Sequence, residues 1–441
     1  MHGTETRKGA DERLYEVGEL TRVEGEGSLR LRVRDGKVTE ARLGIFETPR
    51  YFEQIVVGRT PDEVIDIVAR ICGICPVAYQ MSAVHAFEDL FGVAIDPAVR
   101  ALRRLLYCGE WIESHALHIY LLHAPDFLGY ESAIAMAADH RQTVAKALLM
   151  KKAGNHLIKI IGGRPIHPVS VRVGGFSRVP RRRELEEHRP ALAEGLELAK
   201  ETVRFAASLA MPAFAREPRV VSLRHPGEYP YNDGRIVSSD GIDLAPSGWR
   251  DAFEEFQVEE SNALHARARD GKGVYLLGPA ARVVLASEQL HPVARELLAG
   301  TGMAETIRTN IYASIVARAV ELVHAYAEAL DIIDGYRPPA EPAVAWTSRP
   351  GVAAWATEAP RGLLFHRYEV DERGRIASAQ IVPPTAQNQA AIERDLVVAA
   401  PNVLDLPHAE ATIRLEQMIR SYDPCISCAT HFLDLRIEEA G

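Results

Sequence analysis

The chain of 441 residues is predicted to be mainly α with α+β elements, a central bundle of long helices with small antiparallel sheets at its periphery. Three observations predict this. Stretches at about 96–123, 131–161, 184–210 and 302–332 repeat apolar residues at helical spacing, rich in Ala, Leu and Glu and poor in breakers. Two shorter segments, 28–46 and 363–382, instead alternate apolar and polar residues on either side of a turn. The composition, 47% hydrophobic and 25% charged, is that of a globular chain with a large buried core.

In chain order, 28–46 is a hairpin turning at Arg34-Asp35-Gly36-Lys37. Pro61 suits a helix's first turn, and Val64, Ile65, Ile67 and Val68 carry that helix toward Cys72. The long helices follow, interrupted by Pro- and Gly-richer surface excursions near 212–250 and 334–351. The second strand-rich stretch turns at Asp371-Glu372-Arg373-Gly374 and is stopped by Pro383-Pro384. Helices resume at about 386–398 and 409–421. No internal repeat or low-complexity linker divides the chain.

The net charge of -9 argues against a nucleic-acid surface, which needs a concentrated basic stripe. The one basic run, Arg181-Arg182-Arg183, leads directly into Glu184, Glu186 and Glu187 and reads as a solvated helix start. The first 17 residues lack the apolar core of a secretory signal, and no stretch approaches the roughly 18 apolar residues of a membrane helix. A cytoplasmic protein without membrane insertion is expected, although export on a partner's signal would leave no trace here.

Five cysteines are too few for a disulfide framework, and four of them form two Cys-x-x-Cys pairs, Cys72 with Cys75 and Cys425 with Cys428. Each pair lets two sulfurs converge on one metal. A zinc site usually draws its pairs from nearby sequence, whereas these lie roughly 350 residues apart. Neither pair has the βαβ setting of a thioredoxin-like redox motif. An iron-sulfur cluster or a mixed-metal site remains, because thiolates also select iron and nickel.

The residues around the pairs narrow this further. Arg70-Ile71-Cys72-Gly73-Ile74-Cys75 and Asp423-Pro424-Cys425-Ile426-Ser427-Cys428-Ala429-Thr430-His431 resemble the two metal-binding motifs of nickel-iron hydrogenase large subunits. Thr21-Arg22-Val23-Glu24-Gly25, Gly162-Gly163-Arg164-Pro165-Ile166-His167-Pro168 and Glu358-Ala359-Pro360-Arg361-Gly362 extend the likeness over nearly the whole chain. The first and middle pieces look closest to the cytosolic NADP-linked group, which includes the sulfhydrogenases.

The resemblance implies the large-subunit fold in a single domain over 1–431, followed by an extension, 432–441, that a C-terminal endopeptidase removes after nickel insertion. It implies reversible heterolytic cleavage of H2 at a nickel and an iron, the iron carrying carbon monoxide and cyanide installed by maturation proteins, with a chaperone among the partners. Cys72 and Cys425 would be terminal on nickel, and Cys75 and Cys428 would bridge the two metals. Glu24 would relay protons from the terminal cysteine, and Arg361, oriented by Asp423, would stand over the open face. Pro383 and Thr385 would lie beside the cyanides, where Pro384 replaces a hydroxyl residue. Glu53, His431 and the Ala377 carbonyl would hold a separate magnesium or iron ion.

Each of these residues also has a plainer reading. Arg361 taken alone is an arginine at a strand start paired with Glu358, Glu24 an exposed glutamate before glycine, Glu53 a helix-surface residue and His431 a helix cap. Tyr79, Glu26 and Ser114 depart from what many family members carry. Cys108 reads as a core residue, so the chain has too few cysteines left for an iron-sulfur cluster of its own. An iron-sulfur small subunit is therefore an expected partner, and the subgroup resemblance implies in addition a flavin-containing, NAD(P)-binding module with further iron-sulfur subunits, and sulfur or polysulfide reduction as an additional activity of the complex. Other readings on the same scaffold are an H2-sensing regulatory hydrogenase and a quinone-module subunit of a respiratory complex, a subunit type that has lost the cysteine pairs.

Overall fold

In the N-terminal segment the alternation becomes a four-stranded antiparallel sheet of β1 (Thr4–Arg7), β2 (Glu12–Val17), β3 (Gly27–Arg34) and β4 (Lys37–Ile45), in that order. Leu29, Leu31 and Val33 of β3 face the core while Arg30, Arg32 and Arg34 face solvent, the period-two pattern of a half-buried strand. The structure, a computed structural model, describes residues 4–7, 12–35, 37–46, 51–258, 261–403 and 405–430. Gly36 of the expected turn, His431 and the tail 432–441 lie outside these residues.

Helix α1 (Phe52–Ile55) is a single turn, and α2 (Pro61–Val68) starts where Pro61 places it. Thr60 and Glu63 form a capping box there, the Thr60 N–H donating to Glu63 Oε2 at 2.8 Å and the Glu63 N–H to Thr60 Oγ1 at 3.4 Å. α3 (Pro76–Phe91) begins directly after Cys75, with Pro76 in its first turn. α4 (Pro97–Leu117) is capped by Asp96, which accepts the Ala98 N–H at 2.7 Å.

The bundle is α4 with α5 (Arg141–Gly162), α6 (Arg189–Ser208) and α8 (Ser314–Gly335), α4 packing on both α5 and α8 and α6 on α8. The short α7 (Pro279–Ala286) lies against α8. Several expected helices are shorter than their patterns. The first relaxes into a π-helical turn at His118–His123. The second breaks at His140 (φ −119°, ψ 42°), the third restarts at α6 with Pro190 in its first turn, and the fourth is interrupted where Asn310 turns extended and caps Tyr312. The basic run is the expected helix start, with Arg182 on Glu186 and Arg183 on Glu187, both at 2.7 Å.

α4 and α5 approach through two glycines. A Cβ on Gly154 would lie 2.6 Å from the Gly109 carbonyl oxygen and 2.8 Å from the Glu113 nitrogen. Because both obstacles are backbone, they cannot swing aside. Gly154→Ala is therefore expected to lower stability by about 1–3 kcal/mol through overpacking, although alanine is the better helix former by up to ~1 kcal/mol. A denaturation midpoint unchanged or raised would show that the helices part without cost.

A three-stranded antiparallel sheet, β5 (Gly351–Ala359), β6 (Gly362–Val370) and β7 (Ile376–Val382), packs against α3. The sequence shows β6 and β7 but not β5, since Ala353, Ala356, Thr357, Glu358 and Ala359 are all buried and no alternation survives. The excursion near 212–250 folds back as a small sheet of Val221–Arg224, Arg235–Ser238 and Asp243–Leu244. Its Val221, Leu223 and Ile236 share a separate core with Trp249, Phe253 and Phe365. α9 (Pro384–Ala399), α10 (His408–Ser421) and the single turn α11 (Ile426–Ala429) are the last elements among the described residues and return the chain to the first cysteine pair. Among the described residues no helix is long and apolar enough to cross a membrane.

Candidate metal centre

The fold closes the long sequence gap between the cysteine pairs. Cys72 and Cys75 sit in the loop between α2 and α3, and Cys425 and Cys428 flank the start of α11. All four are buried, and the Cys72 and Cys425 sulfurs are 3.7 Å apart. Cys425 and Cys428 touch through their sulfurs, with Cα atoms 5.5 Å apart. One ligand atom from each of Cys72, Cys425 and Cys428 lies within 4.8 Å of the others, and this is the one such group among the described residues. Cys75 stands next to them, its N–H donating to the Cys72 sulfur at 3.2 Å.

Burial alone would push the Cys72 thiol up, but the Cys75 hydrogen bond and the Arg361 cation outweigh it, and its pKa lies below that of an ordinary thiol. The hydrogen bond to Cys72 and then burial hold the Cys75 thiol well above the usual range.

Glu24 lies against the C-terminal pair. Its Oε2 accepts from the Cys425 thiol at 3.0 Å and from the Ser427 N–H at 3.1 Å, while its carbonyl accepts the Ile426 N–H at 2.8 Å. The segment before it is tied to α10. Thr21 bonds Glu416 through its N–H at 3.0 Å and its hydroxyl at 2.9 Å, and Arg420 reaches the Thr21 carbonyl at 2.8 Å. Arg22 grips Asp126 and the Leu122 carbonyl. The Thr21-Arg22-Val23-Glu24 segment is thereby tethered at two points, which fixes the distance from the Glu24 carboxylate to Cys425.

Arg361 is 2% exposed at the turn between β5 and β6. Its Nε donates to the Asp423 carbonyl at 2.8 Å and its Nη2 to Asp423 Oδ1 at 3.0 Å. Asp423 adopts a left-handed conformation, φ 54°, uncommon for a residue with a side chain, which turns the chain out of α10 toward Cys425. Burial works against the Arg361 cation, while Asp423, Cys75, Cys72 and Glu24 together raise its pKa. The alternative pairing with Glu358 does not occur, because Arg282 of α7 occupies that carboxylate. Arg282 bonds Glu358 Oε2 at 2.8 Å, Glu321 at 2.7 and 2.8 Å, and the carbonyls of Ala359 and Pro360 at 3.0 and 2.9 Å.

Arg282 therefore clamps the turn that carries Arg361. Burial pushes the Glu358 carboxyl up to about 7 against the pull of Arg282, whereas in Glu321 the salt bridge to Arg282 overcomes burial and brings the value down to about 2. A further buried carboxylate, Glu110 of α4, accepts the Val77 and Ala78 N–H groups at 2.6 and 3.3 Å and anchors the first turn of α3 directly after Cys75. Sequence reasoning singled out neither Arg282 nor Glu110. The available signal was an isolated charge inside an otherwise apolar helical run, which on burial requires a partner.

The remaining expected residues fall at varied distances. Thr385, buried in the first turn of α9, accepts the Cys425 N–H at 3.0 Å and so lies beside the cysteines with its own proton still to give. Pro383 precedes it as the α9 cap, and Pro384 is buried at the first helical position. Glu53 is 6% exposed rather than a surface residue, and its Oε1 accepts the Ile381 N–H at 2.6 Å. The Ala377 carbonyl, expected beside Glu53, lies away from this contact. Ala377 is exposed at a bulge in β7, four residues from Ile381 and hence about 13 Å along the strand. Glu53 meets the peptide joining Gln380 to Ile381, and the bulge carries Ala377 outward. His431 lies outside the described residues.

Tyr79 is buried with its ring 5.6 Å from that of His366, Ser114 is buried in α4, and Glu26 is exposed. His167 holds the Ala69 carbonyl at 2.7 Å, three residues before Cys72, and His118 holds the Arg420 carbonyl at 2.8 Å. Cys108 is a core residue 4.0 Å from the Tyr231 hydroxyl.

The donors fit a bound metal centre. Several cysteine sulfurs converge in the buried interior, a carboxylate reaches one of them, and a buried arginine cation acts on them. Arg361 Nη1 and Asp423 Oδ2 are buried without a hydrogen-bond partner, as expected of groups aimed at something the polypeptide does not supply.

Comparison with known proteins agrees. Residues 50–149 and 273–431 match the model of the family described as nickel-dependent hydrogenase. Over 430 residues the chain is 33% identical to sulfhydrogenase 1 subunit alpha of Pyrococcus furiosus, covering 95% of this chain and 98% of the relative. It is 28% identical to the NAD-reducing hydrogenase HoxS subunit beta of Cupriavidus necator, covering 95% and 94%. The fold superimposes on a crystal structure of an NAD+-reducing [NiFe]-hydrogenase in the H2-reduced state with a TM-score of 0.86 and 26% identity, covering 97% of this chain and 100% of the other. With the family match spanning more than half of its length and its cysteine pairs brought together, the chain belongs to the nickel-dependent hydrogenases as a large, catalytic subunit.

Proposed function

We propose that the chain cleaves and forms H2 heterolytically at a nickel held by Cys72, Cys75, Cys425 and Cys428 together with an iron carrying carbon monoxide and cyanide. The observation that carries this reading is the 3.0 Å contact between the Cys425 sulfur and Glu24, which joins a buried thiolate cluster to a half-buried carboxylate. When bound, the metals supply the open coordination position at which H2 is polarised, and they favour the thiolate forms of all four cysteines. The polypeptide supplies the rest. Cys425 takes the proton, Glu24 receives it from the sulfur and passes it outward, and Arg361, fixed by Asp423, presents a cation to the open side. Thr385, whose oxygen accepts the Cys425 N–H, would be free to donate its hydroxyl proton to a cyanide.

Electrons leave through an iron-sulfur small subunit, since Cys108 is the one cysteine outside the four and cannot hold a cluster alone. The likeness to NAD-reducing hydrogenases supports a flavin- and NAD(P)-binding module beyond it, and the likeness to a sulfhydrogenase supports sulfur or polysulfide reduction by the assembled complex. A magnesium or second iron would be held by Glu53 and His431, with the Gln380–Ile381 peptide in place of Ala377. The single domain would end at 431, with the tail 432–441 removed by an endopeptidase after chaperone-assisted metal insertion in the cytoplasm.

The test is the infrared spectrum and metal content of the matured protein. Nickel together with iron, with bands from carbon monoxide and cyanide, is expected. Zinc alone, without those bands, would sink the proposal.

A further inference from the structure

The buried arginines around the centre differ in how their charge is met. Arg282 has Glu321 and Glu358, Arg361 has Asp423, and Arg420 has Asp126 and Glu416. Arg318 of α8, 1% exposed, has no carboxylate within ion-pair distance among the described residues. Its Nη1 donates to Ser314 Oγ at 2.9 Å and to the Ser421 carbonyl at 3.1 Å, and the Ser314 hydroxyl donates to the same carbonyl at 2.6 Å. Its Nε is buried without a partner.

A neutral side chain could make those hydrogen bonds, and keeping a guanidinium in the interior without a paired carboxylate is costly. Something there must need the charge. Among the charges acting on Arg318 the strongest favourable one is Asp423, followed by Glu321. Asp423 spends Oδ1 on Arg361, while its Oδ2 is buried and unpartnered. Ser421 ends α10, where carbonyls lack helical partners and a cation is favoured by the helix dipole. It lies two residues before Asp423 and four before Cys425.

We infer that Arg318 is a positioning residue for the metal centre: with Ser314 it caps the C-terminal end of α10 at the Ser421 carbonyl and so fixes the turn that delivers Asp423 and Cys425. The turn 421–425 is thus held at its start by a buried cation on the last carbonyl of α10. The inference rests on the metal-centre reading above and adds a residue that touches neither metal nor substrate.

The experiment compares Arg318→Met, Arg318→Lys, Arg318→Gln and Ser314→Ala in the full chain matured with its partners. Arg318→Met and Arg318→Gln should keep nickel but shift or broaden the carbon monoxide and cyanide bands, and should lower H2 turnover roughly 10- to 100-fold with KM little changed. Arg318→Lys, which keeps the charge and one donor, should restore the bands and most of the turnover. Ser314→Ala should resemble wild type. In the metal-free chain, amide exchange at 422–426 should accelerate in Arg318→Met and Arg318→Gln but not in Arg318→Lys.

Wild-type bands and turnover in Arg318→Met would overturn the inference, and so would equal damage in Arg318→Lys and Arg318→Gln, which would mean that the charge is irrelevant. Should Arg318→Met fail to accumulate, the Lys and Gln variants carry the same contrast. A wild-type protein lacking the bands would instead overturn the metal-centre reading.

Discussion

Glu24→Gln is expected to reduce H2 turnover by about 10²- to 10⁴-fold, the range associated with losing a positioned general base, while nickel and iron content stays at the wild-type level. Glu24 is held by its own backbone, whose carbonyl takes the Ile426 N–H at 2.8 Å, so a glutamine there keeps the same position. Its amide oxygen can still accept the Ser427 N–H that Oε2 accepts at 3.1 Å, and the fold loses little. What glutamine cannot do is take a proton from the Cys425 sulfur, 3.0 Å away in the wild type. Turnover and metal content should therefore separate in this variant. Turnover within a factor of two of wild type would remove Glu24 from the proton path, and loss of nickel alongside activity would assign it a structural role instead.

The cysteines, Glu24, Arg361 and Asp423 were legible in the sequence because each lies in a short local word, and those words meet in space. Asp423 and Cys425 are two residues apart, so the turn that places one places the other. What was not legible is carried by single residues acting across long distances. Arg282 and Glu321 sit on different helices with apolar neighbours, and only the fold shows that they clamp the turn bearing Arg361. β5 is buried on both faces and leaves no alternating pattern. Ala377 lies away from the Glu53 contact for a local reason. A one-residue bulge between Glu369 and Val370 pairing turns Ala377 to solvent, and Glu53 meets the strand at Ile381. The helix lengths were overestimated because an apolar pattern can continue through a turn such as His140 or Asn310 that breaks the backbone without breaking the periodicity.

Arg361→Lys, although it conserves charge, is expected to cost about 10²- to 10³-fold in turnover, the scale seen when a preorganised donor is removed from the reacting centre. In the wild type, the guanidinium spends Nε on the Asp423 carbonyl and Nη2 on its carboxylate, and this two-point fork leaves Nη1 buried, without a protein partner, in a cation that interacts with Cys72 and Cys75. Lysine has a compact ammonium on a flexible stem and cannot hold both Asp423 oxygens while offering a third donor in a fixed direction. Paired with Asp423 it withdraws from the cysteines; turned toward them it leaves the carboxylate buried without its fork. Arg361→Ala would do the latter outright, at about 3–5 kcal/mol for an uncompensated buried charge, so lysine is the more informative variant. H2 uptake measured beside nickel content separates the cases. A lysine variant with full nickel and turnover within twofold of wild type would show that the site needs a positive charge but not its direction.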